Sequence, residues 1–249
     1  MKALSISIVS AFFGTVASAL VTDERPLPAD VAALAECVAK VRCGTGVYIG
    51  GRRVVTAAHV TLGLTSFSDG IPIRFVAGSQ CRIVESDLAT FRLVREPDVP
   101  TVPIRLATVS PKAGERVWLI GTGWRRGSLV VEAPTGKFIG WKVVPTRQTL
   151  AGLARVECVA EMCPYLKIPS VCFRTLGGAQ AVSGDSGGGA FVFRYGAWEL
   201  VGIISHGYAP LSADGEVLPI ARGTSSYVVD VAHYRDALAA ALSGWLPAP

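Results

Sequence analysis

The sequence of 249 residues predicts an all-β protein that ends in one α-helix. Short apolar runs recur along the chain, and Gly, Pro, Asp and Ser separate them. Runs of this kind are typical of the strands in barrels and sandwiches. Helical patterns do not alternate with these runs, so the sequence does not predict the parallel sheet of an α/β protein.

The predicted elements run from an N-terminal arm to a C-terminal helix. Residues 22–30 are polar with two prolines and indicate an extended arm, and residues 31–41 could form a short helix. Residues 230–242 are rich in Ala and Leu and contain no Gly or Pro, so they predict the closing helix, with Asp230 as a candidate N-cap. Between them, apolar runs predict strands at 47–49, 53–55, 71–76, 88–94, 117–120, 129–131, 138–144, 190–193 and 200–204.

Residues 1–19 are typical of an export signal. Lys2 supplies a positive start, residues 4–16 are apolar, and Ala17-Ser18-Ala19 is a small-x-small cleavage pattern. The apolar run is shorter than the roughly 20 residues that a membrane span needs. We therefore expect cleavage after residue 19 and a mature chain that is secreted or periplasmic and not membrane-bound. An uncleaved anchor is the alternative.

The charge and cysteine content argue against nucleic-acid binding and a metal site and favour disulfides. The net charge is +5, but the basic residues are scattered, so nucleic-acid binding is not expected. All six cysteines follow residue 19, and an even number in an oxidising compartment predicts disulfides, whose pairing the sequence leaves open. No C-x-x-C pair occurs and the three histidines lie apart from the cysteines, so a metal site is not expected.

The strongest local motif is Gly184-Asp185-Ser186-Gly187-Gly188. Glycines on both sides of a serine allow a tight turn that points main-chain N–H groups outward beside the hydroxyl. These N–H groups can stabilise the oxyanion that forms when a serine attacks a carbonyl carbon. The motif predicts a nucleophilic serine, and a glycine-rich turn with an inert serine is the alternative.

A nucleophilic serine needs a base, and the base needs a carboxylate to orient it. His59 ends the segment 54–59, which begins as an apolar strand, and Asp87 opens the apolar segment 88–94. Each residue alone is a weak signal, because a histidine after a strand and an aspartate before one are often structural. The order His, Asp, Ser, together with these local contexts, indicates that the three residues act together as base, orienting carboxylate and nucleophile.

These segments resemble the three signatures of the chymotrypsin/trypsin family of serine proteases. The signatures are residues 56–59 (Thr-Ala-Ala-His), Asp87 before an apolar strand, and the motif at 184–188. Gly123-Trp124, residues 202–207 and the closing helix extend the resemblance over most of residues 43–245. The resemblance implies two antiparallel six-stranded β-barrels with a C-terminal α-helix and an active site between the barrels.

A polar, turn-rich segment at 110–115 is the expected boundary between the barrels. The expected organisation is therefore a signal peptide at 1–19, an arm at 20–42, a first barrel at 43–112, and a second barrel with the helix at 113–249, which together form one peptidase unit. The resemblance implies a serine endopeptidase that acts on polypeptide substrates as a monomer without a cofactor. No metal is expected, because a calcium loop between His59 and Asp87 would have only Asp69 and Glu85 as acidic ligands.

The resemblance also assigns the catalytic roles. Ser186 would be the nucleophile, His59 the base that takes its proton, and Asp87 the carboxylate that orients the imidazole. The N–H groups of Gly184 and Ser186 would form the oxyanion hole. Asp185 would be a structural partner of the active site.

The substrate cleft would be lined by Ser205, His206 and Gly207. Gln180 would lie at the base of the primary specificity pocket, where trypsin-like enzymes carry a carboxylate. A neutral amide cannot pair with Arg or Lys, so no strong preference for basic side chains is expected.

Activation and disulfides depart from the family pattern. No Ile-Val-Gly-Gly-like activation string occurs, so Asp185 would need another partner, either an arginine of the same chain or the terminus left near Leu20 by signal cleavage. Val60 stands where many relatives have a cysteine. The disulfide partners left open by the resemblance are Cys37 or Cys81 for Cys43, which could also stay free, and Cys158 or Cys163 for Cys172.

Two other functions fit parts of the sequence. The motif at 184–188 also matches G-x-S-x-G, the nucleophile elbow of α/β-hydrolases, and a serine esterase could use His206 or His233. That fold needs alternating strands and helices, which the sequence does not predict. The second alternative is a catalytically silent, protease-like binding protein.

Overall fold

The computed structural model describes residues 26–68, 70–100, 102–132, 135–163, 168–207 and 225–244. The expected export signal and Asp69 lie outside these ranges. No helix within them has the length and apolar character needed to cross a membrane. The helices are α1 (Ala29–Glu36) and α2 (Arg235–Ser243), and the strands are β1 (Val38–Val41), β2 (Gly44–Tyr48), β3 (Arg53–Thr56), β4 (Thr65–Ser66), β5 (Pro72–Ile73), β6 (Cys81–Arg82), β7 (Ala89–Arg92), β8 (Ile104–Leu106), β9 (Arg116–Gly121), β10 (Trp124–Glu132), β11 (Lys137–Arg147), β12 (Leu150–Met162), β13 (Val171–Gly178), β14 (Gly189–Arg194), β15 (Ala197–Gly207) and β16 (Ser226–Asp230).

The first barrel is built from an antiparallel sheet with strand order β5-β4-β1-β2-β3-β7-β6. The sheet curls back on itself, because the chain that follows β5 pairs with the end of β7. An isolated bridge joins Phe75 to Leu93, and the Val76 N–H donates to the Arg92 carbonyl oxygen at 2.7 Å. Within this sheet β3 and β7 are direct antiparallel neighbours.

The second barrel contains six antiparallel strands in the order β14-β9-β12-β13-β16-β15, and pairing of β14 with β15 closes it. Strand β8 adds to β15 in parallel, and β10 and β11 form a separate two-stranded ribbon. The fold class expected from the sequence is confirmed. Antiparallel barrels also exclude the α/β-hydrolase alternative, which requires a mainly parallel sheet.

Apolar side chains, many of them β-branched, fill the interior of both barrels. Val54 and Val55 on β3 and Val228 and Val229 on β16 are completely buried. Branched side chains of this kind suit a pleated surface, and burying each one stabilises the fold by about 1.5–3 kcal/mol. Two packed barrels therefore provide rigid supports for the loops between them.

Three local predictions differ from the structure. The helix expected at 31–41 ends at Glu36, and the chain continues as β1. Asp230 ends β16 and accepts the Ala232 N–H at 2.9 Å, so it caps the turn before α2, whose own N-cap is Tyr234. The long strands β12 and β13 were not predicted as strands.

The expected disulfides are not formed, which corrects the sequence prediction: none of the six cysteines, all of which lie in the described ranges, is joined to another. Their side chains have other surroundings. Cys158 donates to Glu161 Oε2 at 2.8 Å, and Cys43 is exposed. Cys163 and Cys172 are both buried, and a hydrogen bond between these thiols together with burial raises the pKa of Cys172.

Candidate active site

Pairing of β3 with β7 brings His59 and Asp87 together. Thr56 at the end of β3 pairs with Ala89 at the start of β7 in antiparallel register. The chain after β3 therefore lies beside the chain before β7, and the Ala58 N–H donates to the Asp87 carbonyl oxygen at 3.1 Å. The register of one strand pair is enough to place the two predicted residues in contact.

The His59 imidazole and the Asp87 carboxylate form a hydrogen-bonded pair. Nδ1 of His59 lies 2.7 Å from Oδ2 of Asp87, and the His59 main-chain N–H donates to Oδ1 at 2.9 Å. The side chain of Asp87 is 3% exposed, whereas that of His59 is 45% exposed. Because Nδ1 is engaged, Nε2 is the ring nitrogen left to exchange a proton.

Two serines from the second barrel also contact Asp87. The Ser205 hydroxyl, on β15, donates to Oδ2, and the Asp87 main-chain N–H donates to Ser170 Oγ at 2.8 Å. The sequence assigned Ser205 to the substrate cleft, and the structure adds this contact with the carboxylate. Ser170 was not predicted, since it precedes β13 and no motif marks it.

The loop before Asp87 is braced by the C-terminal segment. Glu85 adopts a left-handed conformation with φ of 55°, which is uncommon for a residue other than glycine. The Tyr234 hydroxyl donates to the Glu85 carbonyl oxygen at 3.1 Å and accepts the Val171 N–H at 2.9 Å. Tyr234 therefore links the Asp87 loop of the first barrel to the start of β13 in the second.

Ser186 lies in the loop that leads into β14. Gly184 and Gly187 have φ values of 93° and 88°, and a Cβ at position 187 would overlap the Thr45 carbonyl oxygen. The Ser186 hydroxyl donates to the Ser205 carbonyl oxygen at 3.2 Å. Within the described residues, the N–H groups of Gly184 and Ser186 donate no hydrogen bond, so both are available to an oxyanion.

The carboxylate of Asp185 is completely buried behind this loop. It accepts the Gly123 N–H at 2.7 Å and the Val182 N–H at 2.9 Å. Burial raises the pKa of Asp185 to about 7, although these two donors and the positive charge of Arg147 oppose the shift. Arg147, at the end of β11, is a site residue that the sequence did not reveal, because a lone arginine in a ribbon carries no recognisable signal.

The residues assigned to specificity gather near the end of β15. Gln180 is buried, and Gly207 packs so closely on Ala181 that a Cβ at position 207 would overlap the Ala181 carbonyl oxygen. Burial and the nearby charge of His59 lower the pKa of His206. The structure therefore brings His206 close to His59 and Gly207 close to the Gln180 segment. Among the described residues, no group of three acidic, His or Cys side chains is arranged to hold a metal ion.

Comparison with known proteins gives the following matches. The family model described as trypsin matches residues 31–228. No curated protein matches the sequence. Among solved structures, the chain is similar to the inactive form of a serine-to-alanine mutant of Rv3671c from M. tuberculosis H37Rv. The TM-score is 0.55 and the sequence identity is 19%, and the match covers 98% of this chain and 100% of that one. It is also similar to the HtrA-type protease AlgW with a decapeptide, with a TM-score of 0.51 and 18% identity over 81% of this chain and 52% of that one.

Proposed function

Because the chain belongs to the trypsin family of proteases, we propose that it is a serine endopeptidase that hydrolyses peptide bonds through an acyl-enzyme. The observation that carries the proposal is the 2.7 Å pair between His59 Nδ1 and the buried Asp87 carboxylate. Ser205 connects this pair to the nucleophile, since its hydroxyl contacts Asp87 and its carbonyl oxygen accepts the Ser186 hydroxyl.

In the proposed reaction, Ser186 Oγ attacks the peptide carbonyl carbon while Nε2 of His59 takes the hydroxyl proton. The imidazolium then gives this proton to the departing amine, and a water molecule repeats the sequence to release the acyl group. Asp87 remains ionised throughout. Its hydrogen bond to Nδ1 fixes the tautomer in which Nε2 is the base, and its negative charge stabilises the imidazolium.

The tetrahedral intermediates would place a negative charge on the former carbonyl oxygen. The N–H groups of Gly184 and Ser186 are the proposed donors to this oxyanion, and the absence of any other acceptor for them in the described part of the chain supports the assignment. Fixed main-chain donors need no reorganisation as the charge develops. In a serine protease of unrelated fold, loss of one side-chain donor to the oxyanion costs about 2.7–4 kcal/mol.

The proposal also covers substrate binding, oligomeric state and export. A polypeptide would bind along the end of β15, at Ser205, His206 and Gly207, with Gln180 disfavouring selection for Arg or Lys. We infer that the enzyme acts as a monomer, without a cofactor, after export and loss of residues 1–19.

In many relatives, an activating cut creates a new amino terminus that pairs with the aspartate before the nucleophile. We propose that Arg147 takes the place of that terminus as the positive partner of Asp185. Its guanidinium contributes the attractive charge that acts on this buried carboxylate. An isolated buried carboxylate is costly, so a nearby cation makes the ionised form easier to maintain. This arrangement would let the chain reach its active form without an activating cut.

Hydrolysis of casein by the chain that begins at residue 20 tests the proposed function. The expected result is cleavage of casein by the wild type, loss of cleavage in Ser186→Ala, and weaker activity on a short-chain ester than on casein. A correctly folded wild-type chain that cleaves neither substrate would support the silent binding protein. Activity on the ester alone would support a serine esterase on a protease fold.

A further inference from the structure

We propose that Thr45, on β2 of the first barrel, is a positioning residue that sets the Ser186 loop of the second barrel in its oxyanion-binding shape. The inference rests on the proposed function and extends it to a residue outside the triad. Thr45 is completely buried. Its main chain and its side chain both contact the loop, which lies about 140 residues further along the chain.

Thr45 holds the two peptide groups on either side of the nucleophile. Its hydroxyl donates to the Gly184 carbonyl oxygen at 2.7 Å, and its main-chain N–H donates to the Ser186 carbonyl oxygen at 2.7 Å. The N–H groups of the same two peptide units are also bonded, from Asp185 to Val182 O at 3.0 Å and from Gly187 to Ile204 O at 2.7 Å. Each unit is therefore fixed at both ends.

The two remaining peptide units carry the oxyanion donors. They are held only through their carbonyl groups: Ser183 O accepts the Trp124 N–H at 2.8 Å, and Asp185 O accepts the Gly188 N–H at 2.8 Å. The N–H groups at the opposite ends belong to Gly184 and Ser186 and stay available. Since peptide units are planar, fixing the flanking units limits how far these two donors can rotate.

A chain of hydrogen bonds fixes the direction in which the Thr45 hydroxyl donates its proton. Arg147 Nη2 donates to Thr122 Oγ1 at 2.6 Å, and the two threonine hydroxyl oxygens lie 2.8 Å apart. A guanidinium can only donate and a carbonyl oxygen can only accept. The protons must therefore run from Arg147 to Thr122, from Thr122 to Thr45, and from Thr45 to the Gly184 carbonyl oxygen.

The same arginine ties this chain of hydrogen bonds to both barrels. Arg147 donates to the carbonyl oxygens of Arg42 and Gly44 in the first barrel and to Thr122 O, at 2.8 Å, in the second. A charged donor at one end polarises the hydroxyls that follow it and strengthens their bonds. The first barrel thereby contributes to the oxyanion hole as well as carrying His59 and Asp87.

Thr45→Val tests the role of the hydroxyl, because it removes the O–H but keeps the shape and the main-chain N–H. Thr90→Val is a matched control: Thr90 is a buried threonine of the same barrel whose hydroxyl has no hydrogen-bond partner among the described residues. We expect Thr45→Val to lower kcat on a peptide substrate about tenfold with KM changed less than about twofold. Thr45→Ser should recover most of the loss, and Thr90→Val should match the wild type.

Hydrogen exchange over residues 182–188 tests the same role without relying on activity. Thr45→Val should exchange the amides of Asp185 and Gly187 faster than the wild type, while Thr45→Ser and Thr90→Val should not. Thr122→Val, which removes the preceding hydroxyl, should show the same pattern more weakly and replaces Thr45→Val if that variant does not fold.

The two readouts separate the failure of this inference from the failure of the proposed function. If the wild type does not hydrolyse peptides but Thr45→Val speeds exchange, the endopeptidase proposal fails and the positioning role stands. If the wild type is active and Thr45→Val equals Thr90→Val in both kcat and exchange, Thr45 does not position the loop. A loss of activity that Thr45→Ser does not recover would also overturn the inference.

Discussion

The two halves of the candidate site are stabilised in different ways. His59 and Asp87 stand at adjacent ends of one strand pair, so the register of β3 with β7 places them. Ser186 lies in a glycine-containing loop whose peptide groups bond to Val182 within the same segment, to Ile204 on β15 and to Thr45 on β2 of the first barrel. The positions of His59 and Asp87 therefore follow from local strand pairing, whereas the Ser186 loop also bonds to Thr45, a contact that forms only when both barrels have folded.

Removing His59, the proposed base, should have the largest effect on activity. His59→Ala leaves the fold and the Ser186 loop intact but removes the proton acceptor. In a serine protease with the same triad on an unrelated fold, removing a triad member lowers kcat by up to about 10⁶-fold, and we expect a loss of that order here. Steady-state hydrolysis of a peptide substrate measures it, with thermal unfolding as the control for folding. A loss of less than about tenfold would show that His59 is not the base.

Changing the orienting carboxylate should have the next largest effect. Asp87→Asn keeps the size of the side chain, but its NH₂ group favours the tautomer that places the proton on Nε2. We expect kcat to fall by roughly 10⁴-fold, as it does on the same change in a trypsin-family triad. The pH–rate profile provides a second readout, because the variant should recover part of its activity at high pH. An unchanged kcat would contradict the role of the 2.7 Å pair.

The Ser186 half can be tested through the stability of the buried Asp185. Its folded pKa of about 7 lies above its ordinary value of 3.8, so the folded state favours the neutral acid. The unfolded chain releases this proton first as pH rises, so the contribution of Asp185 to stability is fully present below about pH 4 and is lost as pH rises through about 7. A shift of this size corresponds to about 4 kcal/mol at most.

Asp185→Asn should remove this pH dependence. We therefore expect the free energy of unfolding of the wild type, relative to Asp185→Asn, to fall between pH 4 and pH 7. Arg147→Gln should extend the fall above pH 7, because the charge that lowers the Asp185 pKa is gone. Denaturant unfolding across the pH range measures both effects. Parallel curves for wild type and Asp185→Asn would contradict the raised pKa.

The smallest expected effect follows from removing the Tyr234 hydroxyl, which links the Asp87 loop of the first barrel to the start of β13 in the second. Tyr234→Phe removes the hydroxyl that bonds Glu85 and Val171, and we expect a loss of stability of about 1–2 kcal/mol with a few-fold lower kcat. Tyr195→Phe is the matched control, because Tyr195 is 91% exposed. Equal melting temperatures for the two variants would show that Tyr234 does not support the Asp87 loop.

The same contrast explains what the sequence could and could not predict. His59, Asp87 and the glycine-rich loop around Ser186 were recognisable because each sits in a short motif next to a strand. Thr45 and Arg147 were not, because the contacts that join the two barrels, from Thr45 to Gly184 and from Arg147 to Arg42, link residues 139 and 105 positions apart and leave no local pattern.

Strand prediction failed for a related reason. Strand β12 includes Ala151, Gly152 and Ala154, which have low intrinsic preference for strands. It forms because β9 pairs with one of its edges and β13 with the other. Asp230 was expected to cap α2, but the chain still belongs to β16 there, so its carboxylate bonds the turn that follows.

Labelling with a fluorophosphonate tests directly whether Ser186 is an activated nucleophile, because this probe reacts with a serine only when a base activates it and an oxyanion hole receives the phosphoryl oxygen. We predict one adduct per molecule of the chain that begins at residue 20, located on Ser186 by peptide mass spectrometry, and no adduct in His59→Ala. Absence of an adduct in the folded wild type, or an adduct on another serine, would show that Ser186 is not the activated nucleophile.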